Sequence, residues 1–314
     1  MSNRREFLLS SALGALSLSL SRRIGFALPS NAVNEGLNNQ DGVVITILHT
    51  NDTHSQIDPL PANDRNAGMG GVARRATLVK RVRKENPNTL LLDGGDVLQG
   101  TPYFNFYRGE VEYKAMSAIG YDAGTIGNHD FDNGVEALAA ALKFANFDLV
   151  SSNYDVKGTA LEGIIKPYDV KTVAGIRIGL FGLGISPVGL ITPESFKGIT
   201  YKDPVVAARD SVSILKRENC ALIVCMSHLG YYATPRPNQV GDSQLAAQVD
   251  GIDYIVSGHT HTFMKEPVKQ LQPCGAETLI FQVGKSGIYV GRADFTFKSG
   301  KLSSVAGRLV DLRV

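Results

Sequence analysis

From residue 43 onward, short apolar runs alternate with segments whose apolar residues recur every three or four positions; the runs suit strands and the longer period suits helices. Strands are predicted at 43–49, 89–93, 121–126 and 148–151, with helices at 72–86, 110–119 and 134–145 between them. A hairpin is expected next, from 168–173 and 176–183, turning at Ala174-Gly175. The second half repeats the alternation: helix 203–218, strand 221–226, helix 242–249, strand 254–257. Three strands follow, at 278–283, 289–297 and 302–314, the last two joined by a turn at Ser299-Gly300. Such a pattern builds a layered α/β domain. No repeat, low-complexity tract or linker divides residues 43–314, and the Pro-containing stretch 231–240 reads as a surface excursion within one domain.

Composition agrees with a large folded unit, since 43% of the 314 residues are apolar, enough for a substantial core. A net charge of +2 from 32 basic and 30 acidic residues leaves no electrostatic footprint for nucleic acid. The densest basic run, Arg74, Arg75, Lys80, Arg81, Arg83 and Lys84, falls on the helix at 72–86 and is expected to be a solvated face. Cys225 lies inside the apolar run 221–226 and is expected in the core; with Cys220 and Cys274 it matches no zinc or redox spacing.

The first residues have a different character. Arg4-Arg5 precedes an apolar stretch, 7–20, that carries four serines and a glycine and is shorter than the roughly 20 residues of a bilayer span. Residues 1–32 resemble a twin-arginine export signal, removable after Gly25-Phe26-Ala27 or Ser30-Asn31-Ala32. With 33–42 as a linker, the expectation is a catalytic domain at 43–314, located in the periplasm or otherwise outside the cytoplasm, with no membrane span in the mature chain.

Chemistry is concentrated where predicted strands end. The clusters are His49-Thr50-Asn51-Asp52-Thr53-His54, Asp93-Gly94-Gly95-Asp96, Gly127-Asn128-His129-Asp130-Phe131-Asp132, Ser227-His228 and Gly258-His259-Thr260-His261, and they hold all six histidines of the chain. Ligands of α/β sheets bind at the carboxyl ends of strands. In Asp52-x-His54 and His259-x-His261 an extended backbone would point both side chains to one side, toward one metal region. Imidazole nitrogen with carboxylate oxygen suits zinc, manganese or iron rather than calcium. Glycines before His259, Asn128 and Asp96 permit close backbone approach or a turn. His49, still on the first strand, is assigned to packing.

These motifs resemble the calcineurin-like metallophosphoesterases, in particular the catalytic domain of the 5′-nucleotidase and UDP-sugar hydrolase family. The similarity is carried by Ile45-Thr46-Ile47-Leu48-His49-Thr50-Asn51-Asp52-Thr53-His54-Ser55 and by Ile126-Gly127-Asn128-His129-Asp130-Phe131-Asp132. One departure is Asp130, where the family usually has Glu; altered loop packing rather than lost activity is expected there. The resemblance implies a four-layer αββα sandwich, two mixed β-sheets flanked by helices, with a dinuclear metal site at the strand ends. It implies Asp52, His54 and His261 on one metal, Asn128, His228 and His259 on the second, and Asp96 bridging both. It also implies that Asn128 and His129 meet the substrate, and that His129 with Asp132 forms a catalytic pair.

The implied reaction is hydrolysis of phosphate monoesters, 5′-nucleotides or related nucleotides first, by in-line attack of hydroxide with two divalent ions (Zn, Mn or Fe) as cofactors. Family members carry a second, C-terminal domain that clamps the nucleoside base. With no such segment in the 314 residues, a separately encoded base-binding domain is one expected partner. The open alternatives are a broad-specificity phosphatase, a thiosulfohydrolase and a non-catalytic binding subunit.

Overall fold

The computed structural model describes residues 42–233 and 239–312. The expected export signal and all of the linker but residue 42 lie outside the described residues, as do residues 313 and 314 of the last predicted strand. In chain order the first half contains β1 (Val43–Thr50), α1 (Val72–Glu85), β2 (Thr89–Asp93), α2 (Pro102–Tyr107), α3 (Glu110–Ile119), β3 (Ala123–Gly124), α4 (Val135–Leu142) and β4 (Asp148–Val150). The short strands β5 (Tyr154–Asp155) and β6 (Ile165–Lys166) precede the hairpin β7 (Tyr168–Val173) and β8 (Ile176–Gly184). Then come β9 (Thr200–Tyr201), α5 (Pro204–Arg217), β10 (Leu222–His228), α6 (Asp242–Ala246) and β11 (Tyr254–Ser257). The last strands are β12 (Val268–Leu271), β13 (Glu277–Phe281), β14 (Tyr289–Lys298) and β15 (Lys301–Asp311).

Two mixed sheets result. One has the order β15-β14-β1-β2-β3-β4-β6 and the other β12-β13-β11-β10-β8-β7. Strands β1 to β4 run parallel in the first, and β8, β10, β11 and β13 in the second. Alternation along each strand decides what lies between the sheets. Ile45, Ile47, Leu90 and Leu92 of the first sheet pack with Leu222, Val224, Met226 and Val256 of the second. The intervening residues face outward: Leu48 and Leu91 meet α1, α3 and α4, while Ile223, Cys225 and Ile255 meet α5 and α6. The four-layer αββα sandwich is therefore observed, with Cys225 in its core as expected. Among the described residues no helix is long and apolar enough to cross a membrane.

Several expected boundaries shift for identifiable reasons. The strand expected at 121–126 is reduced to β3, because Gly120 ends α3 in a left-handed conformation and Tyr121 N–H bonds back to Met116 O. The helix expected at 134–145 stops at Leu142, after which three-residue turns close from Phe144 to Ala141 and from Ala145 to Leu142. The helix expected at 242–249 stops at Ala246, with Gln248 N–H turning back to Leu245 O. The strand expected to reach 283 ends at Phe281, since Val283 N–H is captured by the side chain of Asn51. Helix α2 was not predicted: Pro102 starts it as a first-turn residue, and its sequence, rich in aromatic residues, lacks a helical period.

Arg74, Lys80, Arg81 and Lys84 are exposed, as expected of a solvated face, and Arg75 is the exception in the basic run. It is only 2% exposed and donates from Nη1 to Tyr121 Oη at 2.9 Å. Arg83 caps the end of α3 through Gly120 O and pairs with Asp122.

Candidate metal centre

Strands β1, β2, β3, β10 and β11 run parallel within their sheets, and their carboxyl ends deliver Asp52, Asp96, Asn128, His228 and His259. The segment after β1 lies along the segment after β2: Asp52 N–H donates to Gly95 O, His54 N–H to Asp96 O and Ser55 N–H to Val97 O. This pairing holds Asp52, His54 and Asp96 at φ of 49°, 47° and 54°, and His259 and His261 lie at 74° and 51°. The extended backbone expected for the two x-separated pairs is therefore absent. These turns are left-handed, a conformation that non-glycine residues adopt infrequently, and hydrogen bonds from distant segments maintain it.

Two clusters emerge. Asp52, His54 and His261 place one ligand atom each within 4.8 Å of one another, as do Asp96, His228 and His259. The His-x-His pair thus divides between the clusters, in the way the resemblance implies and unlike the reading from spacing alone that both rings address one region. In the first, His261 Nε2 lies 3.3 Å and His54 Nε2 3.9 Å from Asp52 Oδ1, and the two imidazole nitrogens are 3.0 Å apart. In the second, His228 Nε2 lies 3.0 Å from Asp96 Oδ2. Both carboxylates stand between the clusters: Asp96 Oδ2 is 4.0 Å from His54 Nε2, and Asp52 Oδ1 is 3.9 Å from His228 Nε2.

The surroundings leave donor atoms free to converge. His228 Nδ1 donates to Gly94 O at 2.8 Å, which fixes the tautomer with a lone pair on Nε2 once the ring is neutral. Asn128 Oδ1 is buried with no hydrogen-bond partner, an arrangement that needs an explanation in a native structure, and the buried His228 Nε2 faces the carboxylates of Asp96 and Asp52. A mixed set of imidazole nitrogens and carboxylate oxygens fits borderline divalent cations. A Cβ at Gly127 would lie 2.1 Å from Asp96 Oδ1, and one at Gly258 would lie 2.8 Å from His228 Nδ1. Only glycine lets these loops approach so closely.

Protonation follows from packing and neighbouring charge. Burial lowers His259 to about 4, and His228 adds to the effect; burial also lowers His54. For His228 burial opposes the charged ring, yet Asp96 and Asp52 beside it raise its pKa to about 10. Asp96, likewise disfavoured by burial, is held below the usual carboxylate range by the His228 charge. His129 Nδ1 is 2.9 Å from Asp132 Oδ2, and this hydrogen bond, against the effect of partial burial, raises the pKa of His129. The His129 ring sits 5.6 Å from that of His54, centroid to centroid, so the expected catalytic pair stands beside the first cluster. His49 packs edge-on against Tyr254 and Phe281 outside both clusters, and burial lowers its pKa to about 3.

Three residues support the site from outside the clusters; of these only Asp130 was singled out from sequence, as a departure in loop packing. Asn51 donates to Asp52 Oδ2 at 2.6 Å and to Gly284 O at 2.7 Å. Asp130 accepts the backbone N–H groups of Gly127, Asp96 and Leu98. Gln282 spans the 258–262 turn, donating to Ser257 Oγ and Gly258 O and accepting from Thr262 N–H. Asn51 also has a sequence signal, its place beside Asp52, and Gln282 has none.

Comparisons with known proteins agree with this geometry. Residues 45–263 match the family model described as calcineurin-like phosphoesterase. A 5′-nucleotidase of Vibrio cholerae is 34% identical over 292 residues, covering 86% of this chain and 52% of that protein. The bovine 5′-nucleotidase is 36% identical over 229 residues, 70% of this chain and 38% of its own length. The crystal structure of a 5′-nucleotidase precursor from Thermus thermophilus superposes with a TM-score of 0.75 at 35% identity, covering 86% of this chain and 54% of that one. The chain thus spans about half the length of such relatives, corresponding to their N-terminal domain.

Proposed function

Because this chain belongs to the calcineurin-like phosphoesterase family, we propose that it hydrolyses phosphate monoesters with two divalent cations, 5′-nucleotides being the first substrates to test. The carrying observation is the pair of His/Asp clusters with Asp96 and Asp52 between them. Asp52, His54 and His261 would hold one cation, and Asn128, His228 and His259 the other, with Asp96 reaching both. Bound there, two such ions lower the pKa of water to near neutrality and offset the charge of phosphoryl oxygens.

The chain's own groups supply the rest. Asp132 engages His129 Nδ1 and favours the imidazolium, leaving Nε2 to donate a proton to a phosphoryl oxygen or to the departing alkoxide. Asn128 Oδ1, buried with no hydrogen-bond partner, would be the atom that this residue offers to a cation. Asp96 Oδ1 holds the His129 backbone N–H at 2.8 Å, so the turn that bears the proton donor is tied to the turn that bears Asp96.

Nucleotides as substrates rest on the names of relatives about twice as long. Export rests on Arg4-Arg5 and the apolar stretch 7–20 alone. Phosphate release from AMP and from an aryl phosphate, with and without chelator, tests the proposal. Chelator-sensitive release from AMP supports it, release from both substrates widens it to a broad phosphatase, and chelator-insensitive release or none sinks it.

A further inference from the structure

Between α1, α3 and the segments that follow β1 and β2 lies a partly open cavity of about 10 Å³ bordered by Ser55, Arg75 and Glu112. That is about the smallest space that admits one water molecule. Arg75 is 2% exposed and Glu112 3%, and each has a buried atom without a hydrogen-bond partner, Arg75 Nε and Glu112 Oε2. A buried donor and a buried acceptor of opposite charge, on two residues that border one water-sized cavity, point to the same occupant.

We propose that one ordered water fills this cavity, accepting from Arg75 Nε and donating to Glu112 Oε2, and that the bridged pair positions the turns carrying Asp52, His54 and Asp96. The positioning half rests on the metal-binding reading above. Glu112 Oε1 accepts from the hydroxyl of Ser55, the residue after His54. On its other side Arg75 Nη1 donates to Tyr121 Oη, which lies 2.6 Å from Thr50 Oγ1. Thr50 Oγ1 donates to Asp93 Oδ2 at 2.6 Å, and Asp93 Oδ1 accepts Gly95 N–H at 2.9 Å. With Tyr121 donating to Thr50, the protons run from Arg75 to Asp93, whose carboxylate then accepts Gly95 N–H from the turn that bears Asp96. Arg75 Nη2 also lies under Gly287, where a Cβ would sit 3.0 Å from it, next to Ser286, whose N–H holds Asp52 O at 2.7 Å. One buried guanidinium therefore underlies three segments that fix the metal donors.

Outer-shell groups of this kind typically change metal affinity by about 10- to 100-fold. Chelator-stripped protein would be titrated with Mn²⁺ by calorimetry, alongside thermal unfolding. Arg75→Met and Glu112→Leu should each weaken Mn²⁺ binding by roughly that factor. The double variant removes both charges at once, and replacing a buried ion pair by apolar residues is often neutral for stability. It should therefore unfold near the parent temperature and still bind Mn²⁺ weakly. A double variant with parental stability and parental affinity would overturn the positioning role. Should the variants fail to fold, a high-resolution crystal structure of the unaltered chain decides the water: density within hydrogen-bond distance of Arg75 Nε and Glu112 Oε2 supports it, and a dry cavity refutes it. A parent chain that binds no Mn²⁺ would instead defeat the metal-binding reading, and the positioning half with it.

Discussion

Asp96 Oδ1 accepts the backbone N–H of His129 at 2.8 Å, while Asp96 Oδ2 faces His228 at 3.0 Å and His54 at 4.0 Å. One carboxylate thus couples the turn carrying His129 to both clusters. Asp96→Ala is expected to lose at least one of the two cations after dialysis. Elemental analysis that still finds two per chain would remove Asp96 from the shared position.

His129 lies outside both clusters. His129→Ala should therefore retain its metal and lose turnover by about 10²- to 10⁴-fold, the usual contribution of a general acid. Normal turnover at full metal content would exclude His129 from the reaction.

The hydrogen bond from Asp132 raises the pKa of His129. A proton donor acts in its protonated form, so the rate should fall as pH rises through that raised pKa. In Asp132→Asn the charge that favours imidazolium is gone, and the alkaline limb should move to lower pH. A pH–rate profile with an unmoved limb would assign the titration to another group.

Much of the site was legible because its chemistry is carried by rare residue types. Histidine occurs six times, and five of those residues stand in or beside the clusters; the sixth, His49, was separable by its place inside a strand. The apolar runs that hold Ile45, Ile47 and Leu48, or Leu222, Ile223 and Val224, likewise marked strands, but with both faces buried they did not mark which residues meet the neighbouring sheet. What the sequence concealed depends on partners distant along the chain. Asp130 acts through N–H groups up to 34 positions away, Gln282 through a turn more than 20 positions earlier, and Arg75 through Tyr121. The left-handed turns at Asp52 and His261 were misread as extended because side-chain spacing alone says nothing about φ. Helix α2 and the two-residue strands are too short for a periodic signal.

The cation-free cluster has its own pH dependence. With a pKa near 10 beside Asp96, His228 carries a proton at pH 7, whereas a metal ligand must be neutral. Mn²⁺ binding should release that proton, so affinity should climb by about tenfold per pH unit below pH 10 for one proton displaced. Burial already keeps His259, at about 4, in its neutral form. Calorimetry in buffers of different ionisation heat reads the proton count directly, and zero release would contradict the protonated His228.

The central claim is that two cations act together between these residues. Metal-free chain would be titrated with Mn²⁺ while phosphate release from AMP is followed at each step. The account predicts negligible release until the second equivalent is bound, full release at two, and loss of activity when chelator is added. Full activity at one equivalent or fewer, or activity that survives removal of the metal, would contradict it.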